Sequence, residues 1–69
     1  MNFQMKLYEL FIYPSDCGNI KFTIYFDNNE YEVFAELDDY MSVGRHEEKV
    51  EAVRIAVNEL IIAQESINP

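Results

Sequence analysis

Cationic side chains are scarce in this chain: five lysines and arginines stand against 13 aspartates and glutamates, for a net charge of −8 over 69 residues. Such a field repels the phosphate backbone and excludes direct binding of DNA or RNA as the main task. Cysteine occurs once, at Cys17. A single thiol forms no disulfide within the chain, and one Cys with one His falls short of the four ligands of a structural zinc site. Only two glycines are present, Gly18 and Gly44, so no phosphate-cradling glycine loop can be built. No apolar run approaches the roughly 20 residues that span a bilayer. No basic segment followed by an apolar core opens the chain in the manner of a secretion signal. These absences lead to the expectation of a cytoplasmic protein with no cofactor and no metal.

Motifs for chemistry fail on inspection. His46-Glu47 would begin a zinc-protease helix only with a second histidine at position 50, which is Val50. Asp27-Asn28-Asn29 would open a calcium loop only with glycine at its sixth position, which is Glu32. Cys17 has no base near it in sequence to activate it. The expectation is a non-enzymatic protein.

What the chain does have is apolar and aromatic mass. Hydrophobic residues make up 49%, with five Phe and five Tyr, which is far from the composition of a disordered acidic tail. A single packed domain over residues 1–69 follows, of a size that buries only about 60% of its unfolded surface.

Residues 3–13 are compatible with a strand apolar on both faces or with a short helix; the cluster of Phe, Ile and Tyr at its end favours the strand. Pro14-Ser15-Asp16-Cys17-Gly18-Asn19 reads as a turn. Ile20, Phe22, Ile24 and Phe26 alternate with Lys21, Thr23 and Tyr25, the pattern of a half-buried strand. Asp27-Asn28-Asn29-Glu30 reads as a tight hairpin turn, since Asn accepts the left-handed conformation. The return strand, Glu30 to Leu37, pairs antiparallel with the first. Asp38 to Arg45 reads as a loop. A helix is expected from near His46 to about Ser66, with Val50, Val53, Val57, Leu60, Ile61 and Gln64 as its apolar stripe and Ala56, Ala63 and Ile67 at the flank. Ile55 and Ile62 project roughly opposite that stripe and offer a seam for a partner or a second copy. The expected fold is α+β: a three-stranded antiparallel β-sheet with one long C-terminal helix packed on one face.

The densest functional signal lies between Asp27 and Asp39, where six acids occur with no base. Glu30, Glu32, Glu36 and Asp38 fall at even spacing, so a strand would align them on one face, with Tyr31, Val33, Ala35 and Leu37 on the other. Tyr25, Phe34 and Tyr40 would be apolar anchors among those charges. The expected partner-binding set is Glu30, Glu32, Phe34, Glu36, Asp38, Asp39, Tyr40, Glu47, Glu48 and Glu51, with a basic, nucleic-acid-binding protein or complex as partner.

Two resemblances bear on this. The order of hairpin, loop and long helix, with the strand Tyr31–Leu37, the acidic Glu36-Leu37-Asp38, then Gly44, Glu51-Ala52 and Ala56, resembles HicB-type antitoxins over about residues 20–62. That resemblance implies capping of a small basic ribonuclease. It departs from the family in the spacing from Gly44 to Glu51, in the absence of the loop proline and in the absence of a DNA-binding module. As a short acidic αβ chain it is also similar in type to phage-encoded inhibitors, the anti-CRISPR and DNA-mimic proteins. Glu30, Glu32, Glu36, Asp38 and Asp39 carry this likeness as charge. It implies binding and inhibition of a nucleic-acid-processing complex in the cytoplasm of a host cell. Same-face strand residues advance about 6.6 Å, against about 3.4 Å per phosphate on one DNA strand, so one strand supplies about half the charge density of the nucleic acid.

Overall fold

The computed structural model describes residues 6–67, and their side chains as far as Glu65. Four antiparallel strands precede one helix: β1 (Lys6–Ser15), β2 (Gly18–Asp27), β3 (Glu30–Leu37), β4 (Tyr40–His46) and α1 (Lys49–Ile67). The strands lie in chain order, β1-β2-β3-β4, each joined to the next by a two-residue turn. Met1–Met5 and Asn68-Pro69, including the expected start of the first strand at Phe3, lie outside the described residues.

The α+β class and the single C-terminal helix are as expected, but the sheet has four strands and not three. The extra strand is β4, in the stretch expected to be a loop. Its alternation runs against the usual sense: Ser42 and Gly44 point inward and are buried, while Met41 and Val43 point outward. The reason is the helix. Gly44 leaves room for the α1 backbone: a Cβ there would stand 2.6 Å from Ala56 N and closer still to the Ala52 carbonyl oxygen. Ser42 Oγ donates to the Ala56 carbonyl at 2.5 Å, satisfying the one buried polar residue among those described. Small side chains are required where helix and strand backbones meet.

The β1–β2 turn is also tighter than the sequence implies, while the β2–β3 turn is as expected. Pro14 and Ser15 belong to β1 and Gly18 and Asn19 to β2, so only Asp16 and Cys17 form that turn. Ser15 Oγ donates to the Gly18 carbonyl at 2.6 Å across it. Pro14 fits a strand because β1 is an edge, where a missing N–H breaks no ladder. In the β2–β3 turn Asn28 and Asn29 both have positive φ, 56° and 60°, as a type I′ turn demands.

Ile20, Phe22 and Ile24 from β2, Val33, Ala35 and Leu37 from β3, and Ala52, Ala56 and Leu60 from α1 form the core. The helix begins at Lys49, three residues later than His46. His46 ends β4 instead, and its Nδ1 accepts the Glu48 N–H at 2.9 Å, while the Glu48 carbonyl accepts from Ala52 N–H. The helix is also rotated from the expected stripe. Ala52, Ala56 and Leu60 are buried, whereas Val50 is 72% exposed and Ile61 and Ile62 are about half exposed. α1 lies over β3 and β4. Ile55 is half-buried beside Gly44, on the β4 side.

Candidate functional site

The strand registers assemble the outer sheet face, on the side away from α1. Directly paired residues share a face, so three rows cross all four strands. The middle row is Leu10, Thr23, Phe34 and Val43. On one side runs Leu7, Tyr25, Glu32 and Arg45; on the other runs Ile12, Lys21, Glu36 and Met41. The expected alternation along β3 is present: Val33, Ala35 and Leu37 are buried, and Glu30, Glu32, Phe34 and Glu36 face outward.

The surface is nevertheless not the plain acid row that β3 alone implies. Leu7, Leu10, Ile12 and Met41 are all more than half exposed, and Val43 is exposed as well. Phe34 packs edge-to-face against Tyr25, ring centroids 5.7 Å apart, in the centre of the sheet. Lys21 stands opposite Glu36 in the register. Arg45 reaches across from β4 so that its Nε donates to Glu32 Oε2 at 2.7 Å, with a second nitrogen also at 2.7 Å. The Glu32 side chain is mostly covered and the Arg45 side chain is open, so this pair contributes about 0.2–1 kcal/mol. The face is an apolar centre with charge of both signs in the flanking rows.

Carboxylates gather toward the two ends of the sheet. A depression of about 210 Å³ next to the β2–β3 turn is lined by Tyr25, Asp27, Asn28, Glu30, Glu32 and Arg45. Glu32 already answers Arg45, so Asp27 and Glu30 supply excess negative charge suited to a lysine or arginine side chain. Glu47 and Glu48 follow β4 at the same end of the sheet, because Tyr31 pairs with His46. Asp38 and Asp39 form the β3–β4 turn at the other end; Asp38 has a positive φ of 55° and does not continue the strand row.

The remaining expected site residues lie elsewhere. Tyr40 pairs with Leu37, whose side chain is inward, and packs against the core, so it does not share the face of Tyr25 and Phe34. Glu51 is on the helix, across the sheet from Glu32 and Glu36, and accepts two hydrogen bonds from Arg54. The structure therefore brings together Glu30, Glu32, Phe34 and Glu36, with Tyr25, and separates Tyr40 and Glu51 from them. Reading the strands singly missed Leu7, Leu10, Ile12, Met41, Val43 and Arg45. The apolar character of both faces of the first strand was a visible signal for Leu10 and Ile12; the β4 residues had none.

A second charge cluster ties β1 to the helix. The register slips between Leu7 and Glu9, and this bulge puts Tyr8 and Glu9 on the same side. Lys49 Nζ donates to Glu9 Oε1 at 3.0 Å and sits 5.4 Å above the Tyr8 ring. Tyr8 in turn meets Tyr31 edge-on at 5.2 Å. The hydrogen bond to Glu9 holds the Lys49 pKa above the ordinary lysine value. Cys17 is exposed at the β1–β2 turn. No helix among the described residues is long and apolar enough to cross a membrane.

Comparison of the chain with protein-family models, with curated proteins and with solved structures finds no match.

Proposed function

We propose that this chain is a non-catalytic binding protein that uses its outer sheet face to occupy a basic surface on a nucleic-acid-processing complex and so inhibits it. The observation that carries the reading is the make-up of that face. Leu10, Phe34 and Val43 form an apolar centre, Glu30 and Glu36 stand outside it, and among the described residues no element covers it. A buried apolar centre with a charged rim is the ordinary anatomy of a protein–protein interface.

The division of labour follows from magnitudes. Exposed ion pairs contribute about 0–1 kcal/mol each, whereas a well-packed aromatic anchor contributes about 2 kcal/mol or more. Phe34, Tyr25 and Leu10 therefore supply affinity. The net charge of −8 supplies steering toward a Lys/Arg-lined surface, and raises the association rate most at low salt. Strict imitation of a phosphate backbone is the weaker version of this reading, because Arg45 neutralises Glu32 and Lys21 lies opposite Glu36.

The test is affinity capture with the tagged chain from cells at low and then high salt, followed by mass spectrometry. A captured nucleic-acid-binding complex is expected, displaced by its own nucleic acid. Capture should be lost with Phe34→Ser and weakened, with a shallower salt dependence, by Glu30→Lys/Glu36→Lys. Capture unaffected by both variants would refute the assignment of this face. A lone small ribonuclease retained at high salt would replace the reading with an antitoxin.

A further inference from the structure

The inner face of the sheet is wider than the helix that covers it. Four strands about 4.8 Å apart make a surface about 19 Å across, enough for two helices of about 10 Å diameter side by side. α1 occupies the half over β3 and β4, and among the described residues no second helix lies over β1 and β2. An apolar groove remains there. Its floor is Phe11, Tyr13, Ile20 and Phe22 and its wall is Val53 and Val57, around about 210 Å³. It continues past Val57 into a depression of about 280 Å³ bounded by Leu60, Ile61 and Gln64 and by the β1–β2 turn. From Val53 to Gln64 the wall runs about 16 Å at 1.5 Å per residue.

The helix carries more apolar surface than its own sheet uses. Ala52, Ala56 and Leu60 meet the sheet. At 100° per residue, Val50, Val53, Val57 and Ile61 fall to one side of that line, toward β1 and β2, and Val50 and Ile61 are exposed. A helix that met only its own sheet needs one stripe; this one has a second. The Glu9–Lys49 pair lies beyond the groove near the start of α1, and the other end opens at Asp16 in the β1–β2 turn.

We propose that this groove seats an amphipathic helix of a partner protein, lying antiparallel to α1, with apolar residues on the floor and Lys or Arg on its flanks. Charge decides the occupant. The open end carries Asp16 and no lysine or arginine among its lining residues, so the positive N-terminus of a helix is favoured there, which sets the antiparallel direction. Basic flanks complement a chain of net charge −8, whereas a second copy would set −8 against −8. The proposal concerns the inner face and stands independently of the outer-face reading.

The probe is a display library of random peptides of roughly 15 residues, long enough as a helix to span the groove. It is selected against the wild-type chain and against Ile61→Lys and Val57→Lys. Ile61 is about half exposed, so its variant retains the fold, verified by circular dichroism. Selected binders should repeat apolar residues at i, i+3, i+4 and i+7 with basic flanks, become helical on binding, and bind both variants at least about tenfold more weakly. Absence of any groove-dependent binder, or binders that are extended or acidic, would overturn the proposal. So would a wild-type dimer in sedimentation equilibrium that Ile61→Lys converts to monomer, which assigns the groove to a second copy. Binders that appear only after removal of residues 1–5 would assign it to the chain's own N-terminus.

Discussion

Lys49 shows how one residue can join elements distant in sequence. It stands at the first position of α1, where a cation is disfavoured by the helix dipole. Glu9 and the Tyr8 ring, both on β1, offset that and tether the start of the helix to the far edge of the sheet through the long Lys49 side chain. Because the pair raises the Lys49 pKa, the folded chain holds that proton more tightly than the unfolded chain does. The contribution is therefore whole below the ordinary lysine value of about 10.4 and fades as pH climbs through the higher folded value. Urea midpoints of the wild type and Lys49→Met should differ by a constant amount from about pH 7 to about pH 10 and converge above it. A difference that stays constant through the alkaline range would show that the pair does not stabilise the fold.

At the scale of elements, the contact between β4 and α1 dictates the sequence of both. Gly44 is needed because the helix backbone lies where a side chain would be, and Ala52 and Ala56 are small for the same reason. Gly44→Ala should lower stability by about 1–3 kcal/mol, the usual cost of overpacking, read from chemical denaturation. If the midpoint is unchanged, the helix can ride further from the sheet than its position implies. The same contact explains why β4 was hidden. Strands are recognised by large apolar residues pointing inward, and here the inward positions are Ser42 and Gly44 while Met41 and Val43 face out. β2 and β3 were legible because their inward residues, Ile20, Phe22, Ile24, Val33, Ala35 and Leu37, are apolar without exception and Asn28-Asn29 marks their turn. The helix was legible as an element, but its rotation was not, since a broad apolar sector offers more than one face to a sheet.

The whole molecule is a thin sheet with a different surface on each side. One side presents the apolar centre around Phe34; the other presents α1 and the groove beside it. Substitutions on opposite sides share no partners, so their effects should combine independently. In a chain carrying both Glu36→Lys and Ile61→Lys, each loss of binding should equal that of its single variant, measured by titrating the captured complex and a selected peptide separately. Mutual loss would mean that the two sides belong to one site.

The sequence by itself determined the class of the fold, the paired central strands and their turn, the presence of a long terminal helix, and the outward placement of Glu30, Glu32 and Glu36. These depend on period and on local backbone preference, which each segment carries within itself. The tertiary structure alone decided that β4 is a strand, that Arg45 answers Glu32, that Tyr40 turns toward the core, and that Leu10, Thr23, Phe34 and Val43 make one row. Each of those depends on register between strands or on the distance of closest approach between helix and sheet. No segment contains that information alone, because it arises only when the segments pack.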